Sequence, residues 1–289
     1  MSFWKFPVNW IYSYIEVLRD VDRGSGKWGW EIDRKMSDKI LDEIFSRHYL
    51  LPELGREKQA MLLRSHVAIV GVGAVGGRTA EILVRAGIGT LTIIDSDIVE
   101  FSNLQRQTLY TWGDAEKRTE KPETFRRRLN EIMPTCRIFP KYARLTEENV
   151  GGLFKGSDIV ADGTDNIKTR YIVNDWCVRN GVPYIYAGAV GTRASIFPVL
   201  GKHGCLRCVL PVPPDPSALP TAGDVGIIAA APAVAAARSS TLVLRLLTGD
   251  IPEPRWETYD VWHGTHSSMS LEMLKKHHGS EKCELCDNL

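Results

Sequence analysis

The chain has 289 residues, 44% of them apolar and 25% charged, which suits a soluble globular protein of one large α/β domain or two small ones. Its 36 Lys+Arg balance 35 Asp+Glu, so no global field favours nucleic acid or an anionic membrane surface as a partner. No apolar run reaches the length of a membrane span, the nearest being the Ala-rich stretch Val225 to Ala237, and the N-terminus lacks a basic-then-apolar signal pattern, so a cytoplasmic protein is expected.

Residues 1–36 read as an N-terminal aromatic extension. It holds Trp4, Trp10, Trp28 and Trp30, one short amphipathic helix (Ile11, Tyr14, Ile15, Leu18) and a break at Gly24-Ser25-Gly26. Covering a core is the expected role, because exposed Trp clusters are costly. Residues 37–289 read as a single domain. Its first helix is expected from Ser37, as N-cap, to Phe45, with Ile40, Leu41, Ile44 and Phe45 as its apolar stripe.

From Ser65 onward strand and helix alternate. Strands are expected at 66–71, 90–95, 136–142, 158–162 and 183–187, and helices at 75–87, 119–132, 146–154 and 166–180. Continuous apolar strands separated by helices predict an α/β fold, a Rossmann-like, mostly parallel sheet with helices on both faces. Around 193–200 the alternation stops, and Ser195-Ile196-Phe197-Pro198-Val199-Leu200 reads as an antiparallel strand that opens a C-terminal extension. Residues 211–226, with prolines at 211, 213, 214, 216 and 220, read as a long crossover loop, and loops of that length are usually functional or disordered. A helix from about 229 to 247 ends at Gly249, and one more strand is expected near 257–262.

The first strand runs straight into Gly71-Val72-Gly73-Ala74-Val75-Gly76 and then a helical pattern. Glycines there let backbone N–H groups approach phosphate oxygens at a helix N-terminus, so Gly71, Gly73, Ala74 and Gly76 are candidate nucleotide-binding residues. The second strand ends in Asp95, where a Rossmann-type unit places a carboxylate on ribose hydroxyls. Glycine turn plus Asp95 fits an NAD enzyme as well as an ATP enzyme. The next residues separate the two. Asp97, Asn103 and Arg106 follow Asp95, Lys121 opens a helix, and Asp165 and Asn166 stand at the end of another strand. Ends of parallel strands face one ligand crevice, and cations with a carboxylate suit a triphosphate with Mg²⁺.

Several motifs stand in order: Arg47-His48-Tyr49-Leu50-Leu51-Pro52-Glu53-Leu54-Gly55, the glycine turn, Asp95 through Arg106, Lys121-Pro122-Glu123, Asp162-Gly163-Thr164-Asp165-Asn166, and two CxxC pairs, Cys205/Cys208 and Cys283/Cys286. Over residues 37–289 the chain resembles the ThiF/MoeB/HesA family, the adenylating relatives of ubiquitin-activating enzymes. The resemblance implies an enzyme that uses ATP to adenylate the C-terminal glycine carboxylate of a small β-grasp protein ending in Gly-Gly, with release of pyrophosphate. It implies that Asp95 holds the ribose, that Asn103, Arg106 and Lys121 hold phosphates, and that Asp165 holds Mg²⁺. Asp97 and Asn166 fall among the nucleotide-lining residues. Arg47 matches an arginine supplied by the second subunit of a homodimer.

In a chain with no export signal, paired CxxC motifs read as metal before disulfide. The resemblance implies structural Zn²⁺ on Cys205, Cys208, Cys283 and Cys286, and four thiolates leave the ion no open position. Cys136 and Cys177 read as packing thiols.

Two departures from the family pattern stand out. Many members carry a cysteine just before the crossover helix, used for covalent transfer, where this chain has Ala222. That points to the MoeB-like branch, which stops at the adenylate. The usual Gly-x-Pro-Lys is replaced by Arg118-Thr119-Glu120-Lys121, so the turn before Lys121 is expected to differ. Alternatives on the same fold are adenylation of a ribosomal peptide or a tRNA carboxylate, or a non-catalytic partner subunit. Such subunits typically lose the phosphate and metal residues, and Arg106, Lys121 and Asp165 are all present here.

Overall fold

The computed structural model describes residues 34–215, 221–278 and 283–286. Most of the expected aromatic extension, with its four tryptophans and short helix, lies outside the described residues, as do Pro216 and Pro220. The elements are α1 (Arg34–Ile44), α2 (Gly55–Leu62), β1 (His66–Val70), α3 (Ala74–Arg85), β2 (Thr90–Asp95), α4 (Lys121–Ile132), β3 (Arg137–Tyr142), β4 (Ile159–Asp162), α5 (Ile167–Asn180), β5 (Tyr184–Val190), β6 (Arg193–Val199), α6 (Ala230–Leu247), β7 (Arg255–Asp260), β8 (Thr265–Ser270) and α7 (Leu271–His278). One-turn helices stand at Trp112–Glu116, Val150–Leu153, Leu206–Val209 and Ala222–Val225.

One eight-stranded sheet runs in the order β3-β2-β1-β4-β5-β6-β7-β8. Its first five strands are parallel, and β5 through β8 pair antiparallel. Side chains on a strand alternate between faces, and β1 therefore feeds two cores. Val67 and Ile69 join Phe45, Leu83, Ile93, Phe125 and Leu242 on one side. Ala68 and Val70 join Ile94, Phe154, Val160, Cys177 and Tyr184 on the other. Burial on both sides is why β1, β2 and β4 are continuous apolar runs, each large side chain contributing roughly 1.5–3 kcal/mol. Helix α6 lies over α3, β5 and β6, its small residues Ala231, Ala235, Ala236 and Ser239 fully buried. Among the described residues no helix is long and apolar enough to cross a membrane.

Expectation and structure differ in several places. Ser37 lies inside α1 instead of capping it, and Ile40 and Ile44 of its expected apolar stripe stay exposed. The helix expected over 146–154 shrinks to one turn, Val150–Leu153. Asn149 is turned back on the chain, its Oδ1 accepting from Thr146 N at 2.8 Å and its Nδ2 donating to Arg144 O at 2.9 Å, and two glycines follow. The strand expected near 257–262 is a hairpin, β7 and β8, followed directly by α7. Part of the expected crossover loop is the one-turn helix Ala222–Val225, capped by Thr221 and Asp224.

His66 heads β1. Its Nδ1 faces Gly156 O at 2.9 Å, its Nε2 faces Thr92 Oγ1 at 2.8 Å, and its N–H donates to Asp158 Oδ2 at 2.8 Å. Burial holds the imidazole below its ordinary value, against the pull of the Gly156 carbonyl and Asp158. The unfolded chain therefore takes up this proton more readily, and stability falls as pH drops below the free-histidine value of about 6.5. His66→Gln should flatten that part of the slope. Urea unfolding of both proteins between about pH 5 and 8 checks it, and parallel slopes would contradict it.

Candidate active site

At the rim where β1 and β4 end, three glycines touch. The chain turns at Gly71 with φ +79°, a conformation that favours glycine. A Cβ on Gly76 would come 1.9 Å from Gly71 O. One on Gly163 would come 2.2 Å from the same oxygen and 2.5 Å from Gly76 Cα. No methyl fits at either position, so the turn after β4 closes directly on the turn after β1 and on the first turn of α3. Gly73 caps α3 without any side-chain hydrogen bond. A helix start with uncapped N–H groups and a positive dipole end suits an anion.

Asp95 locks this turn. Its Oδ2 accepts from Val72 N at 2.8 Å and its Oδ1 from Asp97 N at 2.8 Å. Desolvation pushes its carboxyl up from the usual range, opposed by Lys121 and by the two N–H groups. Tyr110 Oη donates to Val72 O at 2.8 Å, so the Val72 peptide groups are held from both sides. Lys121 opens α4 with a buried side chain, its Nζ 2.9 Å from Asp97 Oδ2, while its N–H donates to Asp97 O at 3.0 Å. Since each carboxylate oxygen has two lone pairs, Asp95 and Asp97 keep acceptor capacity for a ligand.

The segment after β2 lies over Gly73. Asn103 Oδ1 accepts from Glu100 N at 3.1 Å, and Asn103 O accepts from the N–H groups of Arg106 and Gln107 at 3.1 and 2.9 Å. Arg106 is half-buried, its Nη1 donating to Ser102 O at 2.9 Å. Gln107 is buried with its amide nitrogen 3.6 Å from where a Gly73 Cβ would stand, and its Oε1 has no hydrogen-bond partner among the described residues. Thr108 Oγ1 is likewise buried and unpartnered, and Leu109 takes φ +70°, a strained value for a bulky residue.

On the far side of the glycine contact, Asp165 is exposed two residues after Gly163, and Asn166 caps α5, its Oδ1 accepting from Thr169 N at 3.2 Å. Glycine turn, Asp95, Asp97, Lys121, Gln107 and the Gly163–Asp165 segment are thus linked through direct contacts or short backbone steps. Arg47 is not among them. It is exposed, and its neighbour Phe45, with Gln59, packs on Gly87 just past the C-terminal end of α3. The 12 residues of α3 span about 18 Å, so this segment sits at the opposite end of the helix from the glycine turn. Gln107, Tyr110 and Gly163 were not singled out by sequence, although Gly163 lies within a quoted motif.

The four paired cysteines are buried together. Sγ of Cys205 lies 3.9 Å from that of Cys208 and 3.7 Å from that of Cys283, and Cys208 lies 3.7 Å from Cys286. All four sulfurs lie within 4.8 Å of one another, and the cluster could hold a metal ion. It is tied to α5: Leu206 N donates to Asn174 Oδ1 at 2.8 Å, and Arg207 grips Asp175 through Nε at 2.8 Å and Nη2 at 2.7 Å.

The altered turn before Lys121 has a physical signature. Arg118 stands where the family pattern has glycine and takes φ +50°. A non-glycine residue there costs roughly 1–2 kcal/mol, partly offset by glycine's extra freedom in the unfolded chain. Arg118→Gly should therefore raise stability by about 0.5–1 kcal/mol, read as a higher urea midpoint; a lower midpoint would show that the turn is not strained.

Residues 45–285 match the ThiF family. The chain is 38% identical over 232 residues to the sulfur carrier protein ThiS adenylyltransferase of Bacillus subtilis, spanning 80% of this chain and 68% of that one. It is 31% identical over 227 residues to the SAMP-activating enzyme E1 of Haloferax volcanii, spanning 78% and 83%. Among solved structures, E. coli MccB with MccA-N7isoASN shares the fold, with a TM-score of 0.71 over 89% of this chain and 83% of that one at 22% identity. The extent of the family match and the rim built from its motifs agree: the chain belongs to the ThiF family.

Proposed function

We propose that this protein is an adenylyltransferase, using ATP to activate the C-terminal glycine carboxylate of a small ubiquitin-like or sulfur-carrier protein and releasing pyrophosphate. The observation that carries the reading is the rim itself, an uncapped helix start closed by three mutually touching glycines, with a buried lysine, the strand-end carboxylate of Asp95 and the carboxylate of Asp97 beside it. The substrate class comes from the relatives, whose names are sulfur carrier protein adenylyltransferase and SAMP-activating enzyme.

The chemistry needs no general base. A C-terminal carboxylate has a pKa of about 3.3–3.7 and is ionised near neutral pH. Its oxygen attacks the α-phosphorus of ATP, a C(O)O–P bond forms, and the bond to the bridging oxygen breaks as pyrophosphate leaves. The obstacle is one anion approaching another. Lys121, Arg106 and the α3 N–H groups would lower it by holding phosphate oxygens, with Asn103 beside them, Asp95 on the ribose, and Gly71, Gly73, Ala74 and Gly76 letting the phosphates come close. Asp165 would hold Mg²⁺, which neutralises phosphate charge when bound. Asn166 contributes by capping α5 behind Asp165.

Arg47 is anchored about a helix length from its own glycine turn, which favours its reaching the site of a second copy in a homodimer. The cysteine quartet suits Zn²⁺: four thiolates at about 2.3 Å from one ion stand about 3.8 Å apart, close to the spacings between neighbouring sulfurs here. The reading ends at the acyl-adenylate. Ala222 offers no thiol, and the two cysteines outside the quartet are buried, with Cys136 pushed up to about 12 and Cys177 also pushed up by desolvation.

ATP–pyrophosphate exchange with a cognate Gly-Gly-ended carrier tests the reaction. Exchange should require the carrier's terminal carboxylate and vanish when that carboxylate is amidated; no exchange with any such carrier would overturn the reading. The role of Arg47 across the interface has a separate test. Arg47→Ala and Asp165→Ala should each be inactive alone, while a 1:1 mixture with exchanged subunits, in which each mixed dimer has one complete site, should regain up to about a quarter of wild-type sites. Failure to recover activity in dimers shown to exchange subunits would put Arg47 elsewhere.

A further inference from the structure

The functional reading asks Asp165 to hold a metal from an exposed position on the short connection between β4 and α5. The residue before it is gripped from both sides. Thr164 N and Thr164 Oγ1 both donate to Asp162 Oδ1 at 2.7 Å. Thr164 O accepts from Nη2 of Arg170, one turn into α5. Arg170 is nearly enclosed, with 11% of its side chain exposed, and its Nε stands 3.1 Å from Asp162 Oδ2, which also accepts from Tyr184 Oη at 2.8 Å. The same guanidinium donates to Ala187 O at 3.2 Å and to Tyr186 Oη at 3.1 Å, and lies 4.6 Å from the Tyr186 ring centroid. One side chain therefore joins the end of β4, the turn that carries Asp165, and the middle of β5.

The chain also makes room for it. A Cβ on Gly188 would come 2.9 Å from Arg170 Nη2 and 3.3 Å from Nη1. A buried ion pair contributes little net stability compared with a well-packed apolar replacement, so fold stability is a weak account of an arginine built in this way. A planar guanidinium that faces Asp162 through Nε, both carbonyls through Nη2 and the Tyr186 hydroxyl through Nη1 is what arginine supplies and lysine, with one nitrogen, does not.

We infer that Arg170 is a positioning residue for Asp165, fixing through the Thr164 carbonyl the direction in which the carboxylate leaves the rim. The inference rests on the reading that Asp165 holds Mg²⁺. Partners that orient a metal ligand typically change metal affinity by about 10–100-fold when removed. Two substitutions disturb the grip in different ways. Arg170→Lys keeps a positive charge but, with a single nitrogen, cannot face Asp162, the two carbonyls and the Tyr186 hydroxyl together. Gly188→Ala leaves the arginine in place and crowds its guanidinium.

The experiment is calorimetric titration of the full chain with ATP across a Mg²⁺ series and in EDTA. Arg170→Lys and Gly188→Ala should raise the Mg²⁺ concentration for half-maximal tight binding by about tenfold or more, with ATP affinity in EDTA changed less than about twofold. Tyr184→Phe, which removes only the hydroxyl on Asp162, should lower stability and leave the Mg²⁺ dependence as in wild type. Equal loss of ATP affinity with and without Mg²⁺ would mean a merely structural arginine and overturn the inference. Asp165→Ala, titrated in parallel, separates the two levels. A shift for Asp165→Ala without one for Arg170→Lys or Gly188→Ala defeats the positioning role alone. No shift for Asp165→Ala removes the metal assignment and the inference with it.

Discussion

The contact among Gly71, Gly76 and Gly163 is the constraint from which the rest of the rim follows. Gly71 O is so close to the other two glycines that a Cβ on either would overlap it. That closeness lets two neighbouring parallel strands end flush against the first turn of α3, leaving its uncapped N–H groups at the rim. The surrounding polar groups then hold the turn without filling it. Asp95 and Tyr110 take the two sides of the Val72 peptide groups, Lys121 is paired with Asp97, and Gln107 lies over Gly73. A larger residue at Gly76 or Gly163 would force the strand ends apart.

Helix α5 carries this arrangement outward. Its first turn follows Asp165 and supplies Arg170, and its middle receives the cysteine-bearing segment through Asn174, Asp175 and the Tyr171 hydroxyl, which donates to Leu210 O at 2.5 Å. The sulfur cluster, which draws the distant Cys283/Cys286 pair against Cys205/Cys208, is therefore attached to the same rod as the rim carboxylate. The antiparallel strands β6–β8 extend the sheet beyond β5 and are backed in part by α6, where Arg238 is paired with Glu257 of β7.

Where burial on both faces imposes continuous apolar runs, sequence and structure agree closely; β2 covers residues 90–95 in both. Strand β8, Thr265-His266-Ser267-Ser268-Met269-Ser270, has no such pattern, being an edge strand held by its pairing with β7. The motifs marked Gly71, Asp95, Lys121 and the cysteine quartet, because the chemistry expected of a nucleotide or metal site restricts residue type and spacing. They could not reveal that Arg170 is buried or that Gln107 lies over Gly73, since both facts arise from segments that meet only in the folded chain. Nor could they show that Arg118 accepts the left-handed turn in place of glycine, a matter of backbone angle and not of hydropathy. Asn166 illustrates a motif residue whose side-chain oxygen is engaged as a helix cap.

A crystal structure of the protein with Mg²⁺ and a non-hydrolysable ATP analogue tests the central claim most directly. The account predicts phosphates at the N-terminus of α3, with Lys121 and Arg106 within hydrogen-bonding distance, the ribose on Asp95 and the metal on Asp165. A nucleotide bound elsewhere, or phosphates facing away from the glycine contact with Lys121 still closed on Asp97, would contradict it.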